Sequence, residues 1–309
     1  MIIDATKFYS HYLNDFHFVK ATIYNKMIDD LPRYEAEFFP EGLNEDGKRS
    51  FRRTLKTDLR QNYFHCIETF FELFFALAPE GAPTFQDTNI LFNLTNSRWN
   101  DNYKKISAIA DGSFRLDFLD NEVQGNPGIT VGHYLFYYGT FNFEKFNTDY
   151  KNRVHASVQA IKHGLKLLAF DFSNRDEYNS YKHGLRIIPT ISELIFARVD
   201  NPEIVLKFDL TDSLSYLIKQ KNEDEIISKT VPMDSKRDFE MTRFCSNLIA
   251  NITYLRKITL EKDKPTGGEE GIPIPFFGLE EIMECNKRSV SMTELTYSIK
   301  RVTESTTND

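Results

Sequence analysis

The hydrophobic pattern changes from a helical to an extended period at Pro189, and that change limits the fold more than any other feature. Before it, apolar residues recur at helical spacing over long stretches; after it, short runs alternate apolar and polar with a period of two. The early stretches predict helices over residues 5–28, 49–78, 87–110 and from 143 or 149 to 170. Phe8, Tyr12, Phe16, Val19, Ile23 and Met27 carry the first, and Leu55, Leu59, Phe70, Leu73, Phe74 and Leu77 the second. Asp29-Asp30-Leu31-Pro32 is expected to end the first helix, with a loop to about Gly47, and Pro79 with Gly81 to end the second. Runs at 191–199, 204–209, 213–219 and 225–231, separated by turn-forming residues, predict a four-stranded antiparallel meander. Ser235 with Asp238 caps a following helix that carries Met241, Phe244, Leu248, Ile252 and Leu255. Residues 279–287 and 292–302 predict short helices and 114–119 a strand, while the aromatic stretch 130–143 fits neither period. The expected fold is mainly α, a helical bundle over 1–188, with the meander, a packing helix and a helical tail over 189–309. It is α+β overall, in two domains or one continuous domain.

With 27 phenylalanines and 15 tyrosines in 309 residues, the chain can build a core without disulfide support. A net charge of −7 excludes a general polyanion binder but leaves room for a local basic patch. Cys66, Cys245 and Cys285 are widely spaced and form no CxxC, so neither a disulfide framework nor a zinc site is expected. The N-terminus lacks a basic segment followed by an apolar one. The most apolar stretch, 66–78, is thirteen residues long and contains Glu68 and Glu72. A bacterial-type cytoplasmic protein with no membrane span is the expectation.

One phrase occurs twice, Lys162-His163-Gly164-Leu165-Lys166-Leu167-Leu168 and Lys182-His183-Gly184-Leu185-Arg186-Ile187-Ile188. In one unbroken helix, twenty residues would place His163 and His183 about 200° apart, so a helix break between them matters. Ser173 with Asp176, and Asn174 with Glu177, predict that a new helix starts there. On that helix Arg175, Asn179 and His183 follow at intervals of four and form one polar stripe. Phosphodiester chemistry uses these residue types: the imidazole moves a proton, the guanidinium neutralises charge on phosphorus, and the amide holds an oxygen. The same residues also suit a solvated first turn and a helix C-terminal cation. His155, Gln159 and His163 make a comparable stripe on the preceding helix, read either as a shared pocket or as a hydrogen-bonded helix face.

Asn174-Arg175-Asp176 followed by Asn179 and Lys182-His183, at the opening of a late helix in a helical context, resembles the signature region of HEPN (higher eukaryotes and prokaryotes nucleotide-binding) domains. In that family an arginine precedes a histidine by four to six intervening residues, whereas seven intervene between Arg175 and His183 here. The resemblance covers the helices between Arg49 and Leu185. It implies a helical bundle, often dimeric, with metal-independent endoribonuclease activity in toxin or defence systems, many members being inactive binding modules. On that basis His183 is the expected general acid or base, Arg175 the charge stabiliser and Asn179 the positioner, with His163, His155 and Lys182 in support. RNA, a protein antitoxin or defence partner, and a second copy of the chain are the expected partners, and no cofactor or metal is expected.

Arg49, Arg53, Lys56 and Arg60 recur at spacings of four, three and four, which puts four cations on one helix face for a nucleic-acid backbone or for carboxylates elsewhere in the chain. Asn62, His65, Glu68 and Glu72 draw a polar line through an aromatic face, read either as a pocket or as an internal hydrogen-bond network. No ExxH or HExxH pair, no Walker loop and no GxSxG is present. Two rival classes stand beside the ribonuclease. One is a noncatalytic interaction or regulatory protein with an exposed sheet edge, and the other a small-ligand binder built on Tyr134, Phe136, Tyr137 and Tyr138.

Overall fold

A computed structural model describes residues 5–78, 89–123, 125–140, 147–183, 187–188, 193–197, 205–219, 225–260, 274–289 and 294–300. In chain order these form α1 (Ala5–His11), α2 (Phe16–Asp29), α3 (Leu31–Phe38), α4 (Glu45–Leu77), α5 (Asn89–Asn96), α6 (Trp99–Asp111) and a 3-10 turn (Leu116–Asp120). There follow β1 (Glu122–Val123), β2 (Asn126–Thr130), α7 (Val131–Phe136), α8 (Thr148–Ser173), α9 (Arg175–His183), β3 (Ile187–Ile188), β4 (Glu193–Ala197) and β5 (Val205–Asp209). The chain ends with β6 (Ser213–Lys219), β7 (Glu225–Pro232), α10 (Ser235–Leu260), α11 (Leu279–Cys285) and β8 (Leu295–Lys300). The fold is mainly α with a four-stranded antiparallel sheet in the C-terminal half, and is α+β. Among the described residues, no helix is long and apolar enough to cross a membrane.

The chain divides into two compact units, the first made of 1–23, 62–174 and 237–287, the second of 24–61, 175–236 and 288–309. The division does not follow the change of period at residue 189, because α2, α4 and α10 each run through a boundary.

In the first unit the later half of α4 packs with α8 and α10. Phe64, Phe70, Phe71 and Phe74 of α4 are buried, as are Leu165 and Leu168 of α8 and Leu248 and Ile252 of α10. Gly164 of the repeated phrase lets α8 approach α10, since a methyl there would overlap the Phe244 ring. Asn147 starts α8 by accepting from the Tyr150 N–H at 3.0 Å, and Thr130 starts α7 by accepting from the His133 N–H at 3.2 Å. The C-terminal carbonyls of α7 are met from α10: Arg256, fully buried, donates to Leu135 at 2.9 Å and Tyr134 at 3.4 Å, and Asn251 to Phe136 at 2.9 Å. A cation there satisfies groups that the helix leaves open and complements its dipole.

The helix expected over 5–28 is broken at 12–15, and its second part buries His17 and Ala21 while Phe16, Val19 and Ile23 stay exposed. His17 turns inward because its ring nitrogens meet Asn62 at 3.4 Å and Thr69 at 3.1 Å, while the Asn62 amide donates to the His17 carbonyl at 2.9 Å. The stretch expected as a strand at 114–119 contains the 3-10 turn instead, whose buried Leu116 and Leu119 are three residues apart. The helix expected over 87–110 is two, α5 and α6.

In the second unit Pro32 opens a helix where it was expected to follow the end of one. It lies in the first turn of α3, where its missing N–H has no partner to lose. Phe38 and Phe39 then meet Phe51 of α4 edge-on, at 6.3 and 5.5 Å between ring centres. The four strands expected between 191 and 231 form, but not as one meander. Among the described residues β4 and β5 pair only with each other, and the four-stranded sheet has the order β3-β6-β7-β8. β6 pairs on one side with β7 along its whole length and on the other with β3, where Ile187 lies opposite Tyr216 and Ile188 opposite Ser215. The helix expected at 292–302 is replaced by β8, which pairs with β7 from Leu295 opposite Thr230 to Lys300 opposite Glu225. Thr296, Tyr297 and Ile299 suit a pleated surface, and an available β7 edge outweighs local preference.

Candidate functional site

The break expected after Phe170 is present: α8 stops at Ser173 and α9 starts at Arg175, so the two copies of the repeated phrase lie on separate elements. α9 is anchored by its carboxylate. Buried Glu177 accepts at one oxygen from the Arg60 Nε, 2.7 Å away, and from the Tyr181 hydroxyl, also at 2.7 Å. Tyr178, Ser180 and Tyr181 are buried with it. At about 100° per residue these four residues cover one side of the helix, and Arg175, Asn179 and His183 occupy an arc of about 80° on the other. Asn179 is half-buried and Lys182 exposed, its ammonium 4.2 Å from the centre of the Tyr178 ring. The Arg175 and His183 side chains lie outside the described residues. His163 and His155 belong to the first unit and α9 to the second.

His163 of α8 has a partner of its own. His163 Nε2 lies 3.0 Å from the Met283 sulfur of α11. His155 is exposed, on the side of α8 where Gln159 and Lys162 donate to Asp120 at 2.7 and 2.6 Å. Burial works against charge on Asp120, but the bonds from Lys162 and Gln159 outweigh it and hold its pKa below the usual value. This stripe therefore clamps the 3-10 turn.

The basic run on α4 is largely an ion-pair face. Lys56 is buried and meets Asp212 at 2.9 Å, Arg52 meets the same oxygen at 2.6 Å, Arg60 is held on Glu177, and Arg49 pairs with Asp46. Of the two readings of this run, the carboxylate one describes Lys56 and Arg60, whose partners lie more than a hundred residues away in sequence. Arg49 and Arg53 instead line a cavity of about 480 Å³, with Ser50, Thr54 and Thr57 of the same helix face, Asp46 and Asp58 at its sides, and Ile187 and Leu214 from the sheet. Guanidiniums beside hydroxyls suit a phosphate or carboxylate, and the two aspartates temper the charge.

The polar line farther along α4 splits. Asn62 is committed to His17, while Glu68 and Glu72 line a cavity of about 110 Å³ with Trp99 and Tyr103, whose rings stack 5.7 Å apart. Trp99 donates to Glu68, and burial followed by the neighbouring Glu68 pushes the Glu72 carboxyl above its usual value. In the aromatic segment Tyr134, Phe136 and Tyr137 are buried, the Tyr137 hydroxyl lying 2.6 Å from Ser157. Among the described residues no group of three His, Cys, Asp or Glu could hold a metal ion.

A buried charge network escaped detection in the sequence. Asp171 of α8 accepts at one oxygen from the Tyr63 hydroxyl at 2.6 Å and from Arg237 of α10 at 2.5 Å, and Arg237 also donates to the Asn286 side chain at 2.7 Å. Burial opposes the Arg237 charge, yet the neighbouring Tyr63 and Asp171 keep its pKa raised; burial and Asp171 push the Tyr63 hydroxyl well up. No spacing pattern links residues 63, 171, 237 and 286. Compared with known proteins, the chain matches no family model, no curated protein and no solved structure.

Proposed function

We propose that this chain engages RNA through the arc of α9 that carries Arg175, Asn179 and His183 and cleaves it without a metal, in the manner implied by its HEPN-like segment. The observation that carries the proposal is the division of α9: Glu177, Tyr178, Ser180 and Tyr181 fasten one side, and the positions of Arg175, Asn179 and His183 fall together on the other. Anchoring by a buried, doubly bonded carboxylate gives such a stripe a rigid base. In the proposed reaction His183 takes the proton of a ribose 2'-hydroxyl as that oxygen attacks phosphorus, the bond to the 5'-oxygen breaks and this oxygen takes a proton from water, and Arg175 neutralises charge on the phosphoryl oxygens. The products are a 2',3'-cyclic phosphate and a 5'-hydroxyl. Arg49 and Arg53 at the α4 cavity offer a place for a flanking phosphate.

The test is cleavage of end-labelled RNA in a chelator. The expected outcome is cyclic-phosphate ends and a fall of about 10² to 10⁴ in rate for His183→Ala, with secondary structure retained. Equal cleavage by parent and variant, or none by the parent across varied RNAs, overturns the proposal.

A second reading, a noncatalytic interaction or regulatory protein of a bacterial cytoplasmic system, is favoured by one observation. Apolar residues Ile226, Tyr297 and Ile299 stand exposed at the β8 end of the sheet. Binding of RNA without cleavage, or of a protein partner through that sheet, would select it.

A further inference from the structure

β8 is the last strand of the sheet, and among the described residues no strand pairs with its second edge. It pairs with β7 through six consecutive residues without a register shift, and it contains neither proline nor glycine. Edge strands of soluble proteins are ordinarily blunted by such devices, because unpaired N–H and C=O groups invite another strand. Here the edge is also apolar on one face. Ile299 lies opposite Ile226 and Tyr297 opposite Ser228, so Leu295, Tyr297, Ile299 and Ile226 point the same way, and the last three are 46%, 43% and 41% exposed in the order Tyr297, Ile299, Ile226.

The sequence of the edge identifies its occupant. Glu294-Leu295-Thr296-Tyr297-Ser298-Ile299-Lys300 is a chemical palindrome about Tyr297: acid against base, Leu against Ile, Thr against Ser. We propose that β8 pairs antiparallel with β8 of a second copy of this chain, about a two-fold axis through Tyr297. That register sets Glu294 opposite Lys300, Leu295 opposite Ile299, Thr296 opposite Ser298 and Tyr297 opposite its own copy, each off-axis pair occurring twice. Opposite charges, aliphatic pairs and hydroxyl pairs are the combinations that stabilise directly opposed strands. A slip by one residue at the axis breaks both charge pairs, and a parallel arrangement sets like charges side by side. The axis stands perpendicular to the sheet, so the apolar face continues from one copy into the next, as an isologous contact requires. Glu294 already meets Lys229 of β7 at 3.4 Å, which places it between two cations in the pair. The resulting sheet has eight strands, ordered β3-β6-β7-β8 in one copy and the reverse in the other. This inference is independent of the RNA reading.

Sedimentation equilibrium of the full chain tests it. The expected parent is a dimer. Glu294→Lys should raise the dissociation constant about tenfold or more by setting cation against cation at both ends, and adding Lys300→Glu should restore it by reversing the palindrome. Tyr297→Cys should form a covalent dimer on mild oxidation, whereas the parent should not, since its three cysteines are buried. A monomeric parent at tens of micromolar, a dimer insensitive to Glu294→Lys, or a double variant no tighter than the single one overturns the proposal. A monomer that instead takes an extended peptide at this edge would identify a different occupant and equally overturn it.

Discussion

Removing the Asp171 carboxylate should cost the first unit about as much as truncating one of its buried aromatic rings. The Arg237 and Asp171 side chains are only 4% and 10% exposed, and Asp171 serves both the Arg237 guanidinium and the Tyr63 hydroxyl through one oxygen. In Asp171→Ala the guanidinium keeps Asn286 at 2.7 Å and the Asp238 carboxylate at 4.0 Å, and the Tyr63 hydroxyl loses its acceptor. Leaving a buried charge without its close partner costs about 3–5 kcal/mol. With a urea dependence of about 2 kcal/mol per molar, the midpoint should fall by about 1.5–2.5 M. Trp99 is the only tryptophan and belongs to the first unit, so its fluorescence follows the unfolding of that unit. Adding Arg237→Met removes the buried cation itself and should bring the midpoint back to within about 1 M of the parent. A fall of less than about 0.5 M for Asp171→Ala, or a double variant as unstable as the sum of the single ones, would refute the assignment of this network as a coupled unit.

Burial, with Lys151 nearby, lowers the His133 pKa from 6.5 to about 4. The unfolded chain then binds the extra proton between those values, so stability should fall as pH drops from 6.5 to 4; in His133→Gln the urea midpoint should vary less over that window. Gly164→Ala should cost about 1–3 kcal/mol by forcing a methyl into the Phe244 ring, and Phe244→Leu in the same chain should recover part of the thermal midpoint. Arg60→Gln should destabilise the second unit by about 2–4 kcal/mol, read by urea unfolding, while leaving the salt slope of any RNA binding unchanged. Arg53→Gln should lower that slope by about 0.7, and a reversed pattern would return the α4 cations to the role of a nucleic-acid face.

The candidate site was partly legible. Helix-start residues near 173–174 located α9, and spacing alone aligned Arg175, Asn179 and His183 along it. What anchors α9, the Arg60–Glu177 bond, was not legible, because it joins residues 117 apart. The same holds for the basic run on α4: its spacing was evident, but Asp212 and Glu177, which neutralise it, reach it only through the fold.

By itself the sequence determined the elements whose signals are local. α4, α8 and α10 follow from long apolar periodicity, and β5, β6 and β7 from alternation between turn residues, because helical and extended periods are written into neighbouring positions. Only the tertiary structure decided pairing and burial. β8 is a strand because the β7 edge receives it, β6 pairs with β3 rather than with β5, and His17 is buried where Phe16, Val19 and Ile23 were expected to be. Each outcome depends on a partner distant in sequence, and a periodic pattern records which face a residue can share but not which distant group will satisfy it.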